Sequence, residues 1–195
     1  MRLDQYALLL AAAVVLPSCA SGGSVKTTSR HGAIAVRLEK APTSIHAVCK
    51  KAVSRLHYPV ICPRSVPRGW SELDCAGCNG TFSITGWFRG PRGYKGVPDE
   101  PEWGHMTVWA ARRAGIEGLY VGCPDGRAVG TLRLRGGRHA QWIRCPIGSE
   151  LDSGHVVLQW EVHGVHYGVS AHTDDATNRQ LIVDVVSSLE MVAPS

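Results

Sequence analysis

Histidines and cysteines are the residues of this chain best suited to chemistry. If the stretch around His163-Gly164 folds as a hairpin, His155 faces His172 and Glu161 faces His166, with Ser170 and Asp174 close by. Two imidazoles with a third ligand make a zinc-type donor set, because neutral ring nitrogens and carboxylate oxygens suit divalent first-row metals. Serine, histidine and aspartate together suggest a hydrolase. Such enzymes expose the serine on a strand-to-helix turn in Gly-x-Ser-x-Gly, and Ser170 lies mid-strand without that motif. Strand histidines are more often solvated or hydrogen-bonded than metal-bound. The expectation is therefore a wet sheet face on which His155 and His172 pair, with metal ligation as the alternative.

Cys75-x2-Cys78 is the other spacing with chemical content. It is half of a four-cysteine zinc site, but no second Cys-x2-Cys follows. As a redox pair it should open a helix, whose positive end lowers a thiol pKa. Here Asn79-Gly80 leads into a strand instead. Structural disulfides are the preferred reading. The chain holds no His-Glu-x-x-His, P-loop, dinucleotide fingerprint or calcium loop, and no cofactor is expected.

The elements that must position these residues are clearest near the C-terminus. A two-residue turn at His163-Gly164 sets Val162 opposite Val165, Trp160 opposite Tyr167, Leu158 opposite Val169 and Val156 opposite Ala171. A one-residue slip would mix apolar and polar faces, so the register is firm. Asp174 or Asp175 caps a following helix. Leu181, Ile182, Val185, Leu189 and Val192 recur at helical spacing, and their stripe should cover Trp160 and Tyr167. The pattern Trp160-x3-Gly164-x2-Tyr167, then a helix ending at Ser188-Leu189, resembles the C-terminal part of exported bacterial domains of uncharacterised function. Several of those are lipoproteins or membrane-anchored envelope proteins. The likeness covers roughly the last forty of the 195 residues and is a loose hydrophobic pattern. It implies an antiparallel sheet crossed by a helix and brings no catalytic residues with it.

Export is also readable at the N-terminus. Arg2, an apolar run from Tyr6 to Leu16 and Pro17-Ser18-Cys19-Ala20 have a signal peptide's layout. The run is shorter than the roughly 20 residues that span a bilayer. Leu16-Pro17-Ser18-Cys19 resembles the lipoprotein cleavage box, in which Cys19 becomes the lipidated first residue; plain secretion is the alternative. The chain has seven cysteines. Setting Cys19 aside leaves Cys49, Cys62, Cys75, Cys78, Cys123 and Cys145, an even set that suits disulfides in an oxidising compartment.

The rest of the chain completes an α+β reading. Residues 1–19 are the signal, 20–40 a flexible tether in which alternating Ile34, Val36 and Leu38 could add an edge strand, and 41–195 one domain. Pro42-Thr43-Ser44 opens a helix with Ile45, Val48, Cys49, Ala52, Val53 and Leu56 on its apolar side. Strands are expected at Thr81–Phe88, around Met106, Val108 and Ala110, at Leu119–Gly122, and at Val129–Leu134 and His139–Ile143. The last two form a hairpin in which a Gly136-Gly137-Arg138 loop sets Leu134 opposite Ala140. Arg89 to Gly104 is a long loop, of the kind that is either functional or disordered. The expected fold is a meandering antiparallel sheet of six or seven strands, with the N- and C-terminal helices packed on one face. The formal net charge is +5. Its arginines sit singly rather than on an arginine-rich helix, so nucleic acid is not an expected partner. The leading functional expectation is a non-catalytic envelope domain. It would be membrane-held through Cys19 and would bind an envelope protein or ligand. A metal-dependent enzyme using His155 and His172, and a thiol–disulfide protein using Cys75 and Cys78, are the alternatives.

Overall fold

Among the described residues there are thirteen elements: β1 (Leu38–Lys40), α1 (Thr43–Leu56), β2 (Val60–Pro63), β3 (Ser65–Pro67), β4 (Ser71–Cys78), β5 (Thr81–Arg89), β6 (Trp103–Ala111), β7 (Arg127–Arg133), β8 (His139–Arg144), β9 (His155–Val162), β10 (Val165–His172), α2 (Ala176–Ser188) and β11 (Leu189–Val192). They come from a computed structural model, which describes residues 34–78, 80–97, 100, 102–112, 126–145 and 154–194, without the side chains of 73–78. All of these belong to the unit Gly32–Ser195. The expectations for Cys19, Cys123, the 119–122 strand and the side chains of Cys75 and Cys78 lie outside the described residues.

The main sheet has seven antiparallel strands in the order β4-β5-β6-β10-β9-β8-β7. It consists of two meanders, β4-β5-β6 and β7-β8-β9-β10, joined where β10 docks on β6. The central hairpin has the expected register, from Val162↔Val165 through Trp160↔Tyr167 to His155↔His172. His163 and Gly164 both take positive φ, 51° and 74°, as a primed two-residue turn requires. One face of the sheet carries Phe82, Ile84, Val108, Ala110, Tyr167, Val169, Leu158 and Trp142, all buried. They share one core cluster with Ile45, Cys49, Ala52 and Val53 of α1 and Leu181, Ile182 and Val185 of α2. Cys49 on α1 is disulfide-bonded to Cys62 on β2, S–S 2.12 Å. Cys145 is disulfide-bonded as well.

Four expectations change. Residues 34–40 belong to the domain: the Ile34 amide donates to Thr177 Oγ1 and β1 pairs with β3. Leu189 and Val192 leave the helix. Leu189 is extended (ψ 139°), and β11 pairs with β2. Helical and alternating spacing coincide over those few residues, and the open edge of β2 decides between them. The second hairpin sets Leu132, not Leu134, opposite Ala140. Its loop is Arg135-Gly136-Gly137, closed by Leu134 N–H donating to Arg138 O at 2.7 Å. Both registers keep the same side chains on each face, so the apolar pattern could not separate them. Finally, the stretch before Trp103 is held in place in part. Tyr94 is buried, and its hydroxyl donates to Asn178 Oδ1 at 2.6 Å.

Candidate metal centre

The second sheet face is built in rows across the strands. β9 and β10 contribute His155 and His172 as a cross-strand pair. β6 pairs with β10 through Ala171↔Met106, so the next position places His105 beside His172. β5 adds Trp87 opposite His105. The row therefore reads Trp87, His105, His172, His155. Below it lie Thr85, Thr107, Ser170 and Val157, where the Thr85 and Thr107 hydroxyls bond each other at 2.9 Å.

The middle of this face is dry, contrary to the sequence-based expectation, while His105 and His155 are half-buried and Glu161 is exposed. His172 is 3% exposed, Ser170 2% and Val157 1%. Part of the cover comes from Trp109, whose indole lies over Gly168; a Cβ there would stand 2.2 Å from its Nε1. Glycine at 168 is thus what lets the ring lie flat on the sheet.

The three imidazoles touch. His172 Nε2 lies 2.7 Å from His105 Nδ1, and His105 Nε2 lies 2.9 Å from His155 Nε2. A neutral imidazole has one donor and one acceptor nitrogen, so His105 can donate to one neighbour and accept from the other. Trp87 meets the His105 ring edge-on at 4.8 Å. Burial, then the neighbouring imidazole of His155, pushes His105 down to about 4. Burial, then His105 and His155, pushes His172 down to about 3. Both rings are consequently neutral at neutral pH, the form that ligates metals.

One nitrogen from each ring can be chosen so that all three lie within 4.8 Å of one another. A tetrahedral zinc with bonds of about 2.0–2.1 Å holds its nitrogen ligands about 3.3 Å apart. The donor set therefore fits such an ion after side-chain adjustments of a fraction of an ångström to an ångström and a half. The third imidazole of the cluster is His105, which the sequence reading did not single out.

The other candidates separate from this cluster. Asp174 pairs with Arg144 and Arg179, and the Arg179 hydrogen bond leads the causes that hold its carboxyl below the ordinary range. Glu161 lies 3.8 Å from His166 at the far end of the hairpin. Ser170 is buried mid-strand opposite Val157 and Thr107. The backbone of Cys75 and Cys78 lies in β4, opposite Ser83 and Thr81. His46, Cys62 and Glu190 also approach each other, but Cys62 is in a disulfide and offers no thiolate. No protein-family model, curated protein or solved structure matches this chain.

Proposed function

We propose that this chain is an exported, lipid-anchored envelope domain whose binding role is to hold a divalent transition-metal ion, zinc or a close neighbour, at His105, His155 and His172. The contact of three buried or half-buried imidazoles on three adjacent strands carries the reading. Strands position ligands more exactly than loops, and burial keeps His105 and His172 deprotonated. Export and anchoring rest on the signal-like residues 1–19 and the Cys19 box, together with disulfides at Cys49–Cys62 and Cys145. The resemblance of the last hairpin and helix to exported envelope domains points the same way. Both helices are read as packing on the face opposite the histidines, because their buried residues share the core cluster of that face. That leaves the histidine face for the ion.

A second reading is a metal-dependent enzyme. Three protein ligands leave a fourth position for water or substrate, the layout of catalytic rather than structural zinc. The thiol–disulfide reading is weaker, since Cys75 and Cys78 sit on a strand and not at a helix N-terminus.

The deciding experiment titrates metal-stripped mature protein with Zn(II) and with Co(II). One equivalent should bind, and bound cobalt should show tetrahedral ligand-field absorption. His105→Ala, His155→Ala and His172→Ala should each lose more affinity than the roughly 10–100-fold that outer-shell changes cost. Substoichiometric binding, or full affinity in any two of the variants, would sink the proposal.

A further inference from the structure

A second feature lies on the helix-covered side, away from the histidines. Between the tip of the β7–β8 hairpin, the outer flank of α2 and β11 there is a groove of about 630 Å³, within the roughly 300–1,000 Å³ of small-molecule sites. Its floor is apolar: Leu132, Leu134, Trp160, Val183, Val186 and Met191. α2 turns Leu181, Ile182 and Val185 into the core, which leaves Val183 and Val186 half-exposed on its flank. Met191 is 44% exposed, one of the few large apolar side chains so exposed among the described residues.

The rim is cationic. Arg64, Arg133, Arg135 and Arg138 line the groove, and Glu190 is its one acid. Glu190 is engaged by Arg64 at 2.7 Å and by His46 at 2.9 Å. Among the described residues, Arg133, Arg135 and Arg138 enter no ion pair. Arg133, Arg135 and Arg138 come from the end of β7 and the Arg135-Gly136-Gly137 turn, so all three lie at the hairpin end of the groove.

We infer that this groove binds a single-chain anionic amphiphile, a long-chain fatty acid, with its alkyl chain along Leu134, Val183, Val186 and Met191 and its carboxylate at Arg133, Arg135 and Arg138. Charge complementarity selects the occupant. A neutral chain would make no use of three rim arginines that enter no ion pair among the described residues, and a small anion would leave the floor exposed. Guanidinium pairs with carboxylate in a bidentate fork, which fixes the head while the floor accepts the chain.

The test uses the mature protein with laurate, dodecanol and butyrate, each below its aggregation threshold, followed by calorimetry. Laurate should bind saturably at one per protein. Dodecanol and butyrate should each bind at least tenfold more weakly. Arg135→Gln/Arg138→Gln should weaken laurate at least tenfold and leave dodecanol unchanged, and Val183→Ser/Val186→Ser should weaken both alkyl ligands. Melting temperatures of the variants, which change only half-exposed or exposed side chains, confirm that they fold. Equal affinity for laurate and dodecanol, unchanged laurate affinity in the arginine variant, or binding only to anionic vesicles and not to monomeric laurate would each overturn the inference.

Discussion

His105 shows how much one residue's meaning depends on its neighbours. In sequence it is a polar position between Gly104 and Met106. Alternation places it with Thr107 and Trp109, opposite Met106, Val108 and Ala110, so its face was legible. Its contact with His172 and His155 was not, because that contact needs β6 beside β10. The pair His155–His172 needed only the turn, and it was legible. Burial gives the cluster a measurable pH dependence. In the unfolded chain histidine titrates near about 6.5, whereas in the fold His105 is pushed down to about 4 and His172 to about 3. The folded state therefore binds fewer protons below pH 6.5, and stability present above that pH is lost as the pH falls toward 4 and then 3. From His105 alone the loss between pH 7.5 and 5 is about 2 kcal/mol. Urea midpoints should drop over that interval in metal-free protein, and His105→Gln should flatten the drop. Equal midpoints at both pH values would mean that the imidazoles are solvated.

At the scale of elements, the β9–β10 hairpin and α2 hold the core together. Trp160 and Tyr167 stack with ring centroids 6.0 Å apart, and the Tyr167 hydroxyl donates to Pro59 O at 3.1 Å. That bond ties the hairpin to the entry of β2, so the pair supports more than its own two strands. Truncating Trp160 to Ala should cost about 3–5 kcal/mol, the sum of lost burial and the cavity left behind. Met191→Ala, on the exposed edge of β11, should stay within roughly 0.5 kcal/mol. Chemical denaturation of the two variants checks this, and a Trp160→Ala protein as stable as wild type would contradict the packing described. The N-terminus of α2 was read to within one residue. Asp175 is the cap, accepting from the Asn178 amide at 2.8 Å, while Asp174 turns to Arg144 and Arg179. Asn178, a polar residue inside the helix, is fully buried because its side chain bonds Tyr94 and Thr173. This is how the segment before Trp103 is fastened to the helix.

For the whole molecule, the joint between β6 and β10 decides the architecture. It fuses two meanders into one sheet, makes their apolar faces continuous, and completes the histidine row on the other face. No described helix is long and apolar enough to cross a membrane. The proposed attachment to the envelope rests instead on Cys19. Cys19→Ser should move the protein from the membrane fraction to the soluble fraction on cell fractionation, with its melting temperature unchanged because the domain begins well beyond that residue. Equal membrane recovery for wild type and variant would reject lipidation.

Local rules were enough for several features of this chain. Alternation and turn chemistry determined the β9–β10 register, because a slip of one residue would have exposed every apolar side chain at once. Helical spacing and end signals determined α1 and the start of α2. Where two local patterns agreed equally well with the residues, only tertiary structure decided. Leu189 and Val192 suit a helix or a strand until β2 offers its edge. The β7–β8 loop keeps the same faces in either of two registers. Strand order was decided by tertiary structure alone, since no residue in β6 or β10 names its neighbour and the long connection leaves the pairing open. The seat of Trp109 over Gly168 had the same origin, since it is a contact between β6 and β10, strands that are distant in sequence. The sequence placed His155 and His172 together, and the packing of β6 against β10 added His105 and buried the cluster.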